Sequence, residues 1–558
     1  MKKRLLTAVV AAVVMVTTAA QAFAQAAMKP IMVASVAGYD ELIKDVAYLG
    51  KVADMPDLAQ SVEGLIGFFT QFQGLAGLDK SKPIGIALNS DGAQFQVVGF
   101  VPVTDSNKLL GALAGALGQA QDAGDGVKSI TVQRMQLLIK EQNGWAFVGI
   151  TKDAFNNLPK DPSTLLGDLK DEYDIGIRLF IQNIPAQFRE IGLAQLRAGM
   201  QQGLQQQPNE TDEAFQARRK MTEQQIEALG QVLEEMDELT IGAAIDSVEG
   251  NAFLDLGVSV KEGGKLAKQL ASLENVKTKH AGFLLDDAIV NLHIASVASE
   301  SDVPQALATL DAARKQAEGE LKKATDLTDE ERANLERWLG EVFGVIGDTL
   351  KGGSINGGAT VVGEGPITVA AGATVVGSQR LEKVLKEAIA YAQTKPDFAK
   401  AKVEVEYDSG KHAGVRFHTV SFPIPDNSDE ARQAKQVLGN EVVLTFGFGA
   451  DRIYFAVGED GEETITEVID ESGTSTGEEL PLELSIALHP LVNLAAKSNP
   501  DDENLAVMAK VLAEGDDYLT IESSIEGRTQ FLTISLEEGV LRAFGLTAKA
   551  AAAKKQAR

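Results

Sequence analysis

The sequence predicts an α+β protein made of two homologous lobes, each built from antiparallel β-hairpins with helices packed on the sheets. A strand-like segment that runs into an acidic helical stretch occurs twice, at residues 33–37 and again at residues 294–298. After each of these segments, pairs of β-prone runs and helical stretches follow in the same order almost to the C-terminus. A duplication of this length constrains the architecture, and it leaves the activity open.

The elements of each lobe follow one course. The opening strand leads to a glycine-studded apolar helix, a hairpin and helix, a second set of strands, a strand entering a helix at a proline, and a last hairpin. Asn143-Gly144 is the strongest hairpin signal in the chain. Thr328 and Glu331 predict a capping box. Residues 442–457 are expected to form two strands that turn near residues 449–451.

These patterns divide the chain into four segments. Residues 1–24 are a predicted signal peptide, residues 25–278 the first repeat, residues 279–546 the second repeat, and residues 547–558 a basic disordered tail. The first repeat contains a polar helical insert at about residues 196–239, rich in Gln and Glu.

The N-terminus predicts export. Lys2, Lys3 and Arg4 precede an apolar run over residues 5–16, and small residues permit cleavage after Ala24. The run is shorter than the roughly 20 apolar residues that span a bilayer. No later stretch is long and apolar enough, so we expect no transmembrane span in the mature chain and a periplasmic or extracellular location.

Composition narrows the classes of partner and chemistry. The chain carries a formal net charge of -27 and has no cysteine. Cysteine absence rules out disulfides and a thiol nucleophile. An acidic surface repels nucleic acid and anionic lipid, so neither is an expected partner. The basic tail, with Lys549, Lys554, Lys555 and Arg558, is either a solvated end or a contact with an anionic envelope polymer.

The glycine-studded apolar helix of the first repeat is the candidate binding element. Leu65, Ile66, Phe69 and Phe72 are its main apolar residues. Glycine costs a helix about 1 kcal/mol relative to alanine. Its repeated use here predicts either close packing in the core or a surface shaped for a ligand.

The sequence offers no catalytic, cofactor-binding or metal-binding residues that stand out. Its five histidines are scattered, and His412 and His418, if in one strand, would be about 20 Å apart and too far to share a metal. The glycine-rich residues 352–377 lack the spacing of a phosphate loop and favour hairpin turns. The acidic clusters at residues 459–463 and 501–503 lack the alternating ligands of a calcium loop. We therefore predict no cofactor.

Three stretches carry a resemblance. The run from Asn143 to Gly149, the run from Leu158 to Pro162, and the segment from Tyr173 to Pro185 resemble a family of uncharacterised exported proteins from planctomycete bacteria. The similarity is clearest from Met28 to about Met200. It implies export and carries no activity, cofactor or site residue over to this chain.

Three functions remain open at this stage. The leading prediction is an exported, non-enzymatic binding or structural protein of the cell envelope or extracellular space, with an unknown envelope protein or polymer as its partner. The first alternative is a carrier for a lipid or other apolar ligand held between the glycine-rich helix and a sheet, which requires a continuous apolar cavity. The second is a carboxylate-dependent hydrolase, which requires a cleft with close carboxylates of perturbed pKa.

Overall fold

A computed structural model describes residues 28–556, apart from residues 133, 203, 207–211, 275, 299–302, 326, 364, 426–427, 475–479, 500 and 501. The predicted signal peptide lies outside the described residues. The chain divides into two compact units. The first holds the described residues up to Gly264 together with those from Phe544, and the second holds Lys265–Ala543.

Among its described residues, the first unit has ten strands, and every neighbouring pair is antiparallel. They are β1 (Lys29–Val36), β2 (Ile84–Ser90), β3 (Phe95–Pro102), β4 (Gln121–Asp122), β5 (Val127–Val132), β6 (Met135–Gln142), β7 (Trp145–Gly149), β8 (Ile175–Phe180), β9 (Met236–Asp246) and β10 (Asn251–Val260). Their order in the sheet is β10-β9-β8-β1-β2-β3-β7-β6-β5-β4.

The α-helices of the first unit connect these strands. They are α1 (Tyr39–Val52), α2 (Leu58–Phe69), α3 (Ser106–Leu117), α4 (Leu169–Glu172), α5 (Ala186–Gln202) and α6 (Asp212–Glu235). Short 3-10 helices occur at Lys152–Phe155, Pro162–Leu166 and Ile181–Asn183. Helices α1 and α2 both lie between β1 and β2 in the chain, so the opening strand of the sheet leads directly to the candidate helix.

The described part of the second unit also has ten antiparallel strands. They are β11 (Val290–Val297), β12 (Ser354–Val362), β13 (Thr368–Thr374), β14 (Glu404–His412), β15 (Val415–Pro423), β16 (Glu441–Phe448), β17 (Arg452–Val457), β18 (Leu482–Ala487), β19 (Tyr518–Glu526) and β20 (Thr529–Glu537). Their order is β20-β19-β18-β11-β12-β13-β17-β16-β15-β14.

The remaining α-helices begin with the one that opens the second unit. They are α7 (Lys265–Leu273), α8 (Val303–Lys323), α9 (Asp329–Lys351), α10 (Ser378–Gln393), α11 (Pro396–Lys400), α12 (Asp429–Leu438), α13 (Gly461–Thr474), α14 (Leu488–Ser498), α15 (Glu503–Leu512) and α16 (Glu538–Gln556). A 3-10 helix spans Ala281–Phe283.

The two units share one strand order, because each strand of the first corresponds to the strand numbered ten higher in the second. A glycine at the equivalent position of each sheet also lies against an aromatic ring, although the ring comes from β3 in one unit and from the 3-10 helix before β11 in the other. Gly85 in β2 and Gly358 in β12 each lie against an aromatic ring: a Cβ would stand 2.2 Å from Phe100 in one unit and 2.6 Å from Phe283 in the other. A side chain at either glycine would displace a buried ring.

The residue-by-residue match within the opening strands differs from the one that the sequence indicates. The Ala37 amide donates to the Asp174 carbonyl at 2.7 Å, and the corresponding bond joins the Ala295 amide to the Pro481 carbonyl at 3.0 Å. Strand position therefore pairs residue 37 with residue 295, three residues from the predicted match. An odd offset reverses the face of every side chain. Accordingly Val33 is 2% exposed, whereas Ile294, its predicted counterpart, is 38% exposed.

Each unit has its own core. In the first unit, buried clusters surround Phe100, Trp145 and Phe147, and a further cluster surrounds Val33 and Tyr173. In the second unit, one cluster includes Phe283, Phe417 and Tyr454 together with residues of α13. Two cores fit a chain of this length, since one core rarely grows beyond about 250–300 residues.

The α+β class and several local predictions are confirmed. Asn143 and Gly144 form the β6–β7 turn with φ of 53° and 78°. Thr328 and Glu331 form the capping box of α9. Residues 442–457 divide into β16 and β17 around the predicted turn. The polar insert is helical, although β9 begins at Met236 and so takes in its last residues.

The predicted disordered tail is helical as far as Gln556 in the structure. Helix α16 continues to Gln556, and Lys549 Nζ donates to Asp54 Oδ2 at 2.8 Å. The alanine-rich sequence explains the difference, because alanine has the highest intrinsic helix propensity. The compact units meet in sequence at Gly264 and Lys265, and the residues from Phe544 belong to the first unit.

Candidate functional site

Helix α2 ends in a strained turn. The Thr70 hydroxyl donates to the Ile66 carbonyl at 2.8 Å and so closes the last helical turn. Gln71 and Phe72 then adopt left-handed backbone conformations, with φ of 53° and 62°. Each costs on the order of 1–3 kcal/mol for a residue other than glycine. The Phe72 amide donates to the Gly67 carbonyl at 2.6 Å, which fixes the turn and holds the Phe72 ring at the surface.

Four large apolar side chains of α2 and this turn are more than half exposed. They are Leu65 (55%), Phe68 (69%), Phe69 (54%) and Phe72 (85%), and we call them the α2 surface. Ile66 is partly buried, and no residue of the helix is fully buried. Of the two alternatives predicted for this helix, packing in the core does not hold for Leu65, Phe69 and Phe72, because the described residues of the chain leave their face uncovered.

Two glycines interrupt α2 without a packing reason within the chain. A Cβ at Gly64 would meet no atom within 4 Å, and a Cβ at Gly67 would meet only the Phe72 ring, at 3.7 Å. Each glycine lowers helix stability by about 1 kcal/mol relative to alanine. No contact among the described residues compensates for this loss of helix stability.

Neighbouring helices contact α2 near its middle and just beyond its C-terminal end. The Tyr39 hydroxyl of α1 donates to Glu63 Oε1 at 3.4 Å. Gln71 lies against α3, where a Cβ at Gly115 would be 3.0 Å from Gln71 Nε2. These contacts fix the helix while its apolar face stays open to solvent.

A pair of carboxyl groups lies inside the first unit. Asp45 of α1 is 5% exposed, and Asp174 directly precedes β8. Asp174 Oδ2 accepts the Ile245 amide at 2.8 Å. Burial, followed by the charge of Asp174 and a hydrogen bond to it, raises the pKa of Asp45 to about 7; Glu41 adds to this effect and Lys44 opposes it. Asp45 is therefore largely protonated below about pH 7.

The second unit has a buried network around Glu382 of α10. Glu382 Oε1 accepts from Lys386 Nζ at 2.9 Å and from His418 Nε2 at 3.2 Å, and Glu382 Oε2 accepts from Arg416 at 2.6 Å. The Asp408 amide donates to His418 Nδ1 at 2.9 Å, so the ring carries its proton on Nε2. Burial opposes ionisation of Glu382, but these donors and cations outweigh it and lower its pKa. The contacts of Glu382 with Arg416 and His418 join α10 to β15.

Three clefts are present within the units. One of about 740 Å³ lies between α3 and the β4–β5 edge, and its lining includes Asn107, Gln121 and Lys128. One of about 400 Å³ lies between α14 and α15, with His489 and Lys497. One of about 360 Å³ contains Asp161 and other charged residues. Polar groups line all three, and neither the α2 surface nor Asp45 nor Asp174 contributes to any of them.

His280 and His293 interact electrostatically, and His412, His418 and His489 lie on β14, β15 and α14. His280 and His293 are buried, and burial and the charge of Arg452 lower the pKa of His280 to about 4. His412 and His418 lie on β14 and β15, because Ala413 and Gly414 turn the chain between these strands. No group of three or more His, Asp or Glu suited to a metal occurs within the described residues.

Sequence reasoning missed the exposure of Phe68 and the carboxyl pair. Phe68 has the same apolar character as its neighbours, and periodicity does not distinguish a face covered by this chain from one left open. Asp45 and Asp174 come together only because β1 pairs with β8. The uncharged stretch over residues 64–78 was the available signal for the open face.

Comparison with known proteins finds no matching family model, no matching curated protein and no matching solved structure. Within the part of the chain that the structure describes, no helix combines the length and apolar character needed to cross a membrane.

Proposed function

We propose that this chain is an exported, non-enzymatic binding or structural protein of the cell envelope or extracellular space, and that it contacts its partner through the α2 surface. The observation that carries the proposal is the exposure of Leu65, Phe68, Phe69 and Phe72 on one uncharged stretch. Monomeric proteins rarely expose contiguous apolar patches above a few hundred Å², and larger ones mark interaction sites. The N-terminal signal pattern supports export.

The carboxylate-dependent hydrolase is less well supported. Such an enzyme needs a pair of carboxyl groups that a substrate can reach, with pKa values set apart by their surroundings. The pair that meets the second condition, Asp45 and Asp174, is buried away from the three clefts. Its geometry supports a role in holding α1 to the start of β8.

A carrier for an apolar ligand remains the alternative. It is favoured by the same four exposed side chains, whereas none of the three clefts is lined by apolar residues alone. A carrier encloses most of its ligand in a cavity. The α2 surface is open, which suits a macromolecular partner better.

We also propose that the two units descend from one duplicated module. The shared order of ten strands supports this, as do the equivalent positions of Gly85 and Gly358 in the two sheets. The planctomycete resemblance belongs to the same proposal: it would place the chain among exported proteins that share this module.

The test is retention in the host envelope. We expect the wild-type chain to fractionate with the envelope or in a complex, and the double variant Phe68→Ser, Phe72→Ser to be released from it. Val248→Ser is the control, because Val248 is 85% exposed in the β9–β10 turn and lies outside the α2 surface. Asp45→Asn should leave retention unchanged. Equal retention of the double variant and the wild type would refute the proposal.

A further inference from the structure

We propose that the α2 surface is the contact between two copies of this chain, which pair through it as a two-fold symmetric dimer. This inference rests on the proposed function, since it names the partner of the same surface. Three properties of the surface carry it: its area, its lack of charge and its shape.

The exposed area is sufficient. An aromatic side chain contributes roughly 150–250 Å². At the exposures observed, the four side chains present on the order of 500 Å² of apolar surface per copy. Two copies would bury about 1,000 Å² through these residues alone, which reaches the lower bound for a specific interface before any surrounding contact is counted.

The charge pattern favours a second copy. Residues 64–78 contain no ionisable side chain, whereas the whole chain carries a net charge of -27. Two copies that approached through acidic faces would repel each other. In a two-fold dimer each residue meets the same patch on the other copy, so an uncharged patch is complementary to itself.

The shape favours a protein helix over a lipid surface. Gly64 exposes bare backbone and lies one helical turn before the protruding Phe68, so a hollow and a knob share one face. A two-fold axis places the knob of one copy beside the hollow of the other. A face that inserted into lipid would gain more from leucine at position 64, which also favours the helix by about 1 kcal/mol.

The strained turn at the end of α2 also favours the dimer. Phe72 keeps a left-handed conformation and an 85% exposed ring. Its ring makes few contacts within the chain, and Gly67 is its close neighbour. Burial in a dimer would compensate the strain that holds this ring outward.

Sedimentation velocity of the purified protein tests the inference, with circular dichroism to verify folding. We expect a dimer at about 10 µM for the wild type and for Val248→Ser, and a dissociation constant at least about tenfold higher for Phe68→Ser, Phe72→Ser. Gly64→Leu should weaken the dimer similarly, because its side chain would fill the hollow. Raising the salt concentration should strengthen the dimer, because salt screens the repulsion between two acidic chains.

Two results would overturn the dimer. One is a wild-type monomer at this concentration, and the other is a dimer that the α2 variants leave unchanged. Phosphatidylcholine vesicles provide a second arm: binding that Gly64→Leu increases would assign the surface to lipid instead. If the wild type is monomeric but Phe68→Ser, Phe72→Ser still releases the chain from the envelope, the dimer fails and the proposed function stands. If the variants match the wild type in both assays, both fail.

Discussion

Helices α2 and α9 occupy the same place in the two units and meet opposite surroundings. Each is the second helix between the opening strand and its hairpin partner, after β1 in one unit and after β11 in the other. Helix α9 begins in a capping box, and Arg380 of α10 bonds its Glu341 and Asp348 at 2.8 and 2.9 Å. Helix α2 has no side-chain N-cap and presents its apolar face to solvent.

Their glycines differ in the same way. Gly347 of α9 lies against Leu310 of α8, where a Cβ would be in van der Waals contact at 3.5 Å. Gly64 of α2 faces open space. The fold can therefore cover a helix at this position, and one unit does so. The uncovered face of α2 is a property of its own sequence, which is why we assign it a partner.

The largest expected contrast is between buried and exposed aspartate substitutions. Val345→Asp in α9 should lower the free energy of unfolding of the second unit by about 3–5 kcal/mol, because it places an uncompensated charge at a buried position. Leu65→Asp in α2 should change the first unit by less than about 0.5 kcal/mol.

Denaturant unfolding measured by tryptophan fluorescence separates the two units. Trp145 lies in the first and Trp338 in the second, and the chain has no other tryptophan. Trp338→Phe leaves Trp145 to report on the first unit, and Trp145→Phe does the converse. A loss of 3 kcal/mol or so from Leu65→Asp would mean that α2 is covered after all.

Opposite pH dependence is expected for the two buried carboxyl groups. The raised pKa of Asp45, about 7, means that the folded first unit holds a proton that the unfolded chain releases near pH 4. The free energy of unfolding should therefore fall by about 2–3 kcal/mol as pH rises from 4 to 8, and Asp45→Asn should remove most of this dependence. The exposed Asp40→Asn is the control.

Glu382 should act in the other direction. Its pKa is lowered, so the stability that it provides is present above the ordinary glutamate pKa and is lost as pH falls through its folded value. The free energy of unfolding that Trp338 reports should therefore fall at acidic pH, and Glu382→Gln should reduce this fall. The same pH slope for both units above pH 4 would contradict the assignment of Asp45.

A smaller contrast separates two helical glycines of the first unit. Gly64→Ala should raise the free energy of unfolding by about 0.5–1 kcal/mol, since alanine favours a helix and the added methyl meets nothing. Gly50→Ala in α1 should lower it, because its Cβ would lie 2.7 Å from the Met55 carbonyl oxygen. Equal effects at the two sites would show that α2 is more closely packed than described.

The smallest effect is expected from the ion pairs of α9. Arg380→Ala removes contacts with Glu341 and Asp348, and all three side chains are substantially exposed. Exposed pairs contribute about 0.2–1 kcal/mol, and salt screens them. Thermal unfolding in low and high salt should show a modest loss in low salt only. Arg314→Ala, whose partners lie on its own helix, is the comparison.

Local signals in the sequence were sufficient for the turns that depend on backbone conformation. Asn143-Gly144 predicts its hairpin because both residues tolerate positive φ. The β-prone residues 130–139 predict a single strand, whereas the structure has β5 and β6, with Arg134 at φ 78° in the turn between them. Arginine is not a residue that typically marks a turn, so the sequence did not predict the turn between β5 and β6.

Long-range pairing and coverage lie beyond local patterns. β14 was missed because residues 404–412 are mostly polar and exposed, as suits a strand at the edge of the sheet. The position of β1 between β2 and β8 depends on residues more than a hundred positions apart. Likewise, the apolar periodicity of α2 predicts that one of its faces is buried, but it does not identify the element or partner that covers that face.

The return of the C-terminal residues to the first unit has a consequence for the order of folding. Gly545 lies so close to Ala53 that a Cβ would be 2.3 Å from the Ala53 Cβ, and Lys549 pairs with Asp54. The first unit is therefore assembled from both ends of the chain, with the whole of Lys265–Ala543 between them as a closed loop. Loop-closure entropy grows only slowly with length, and a loop that is itself folded is shorter in effect. During synthesis, the residues from Phe544 emerge only after the whole of the second unit. The first unit therefore completes its folding after the second, although most of it is synthesised first.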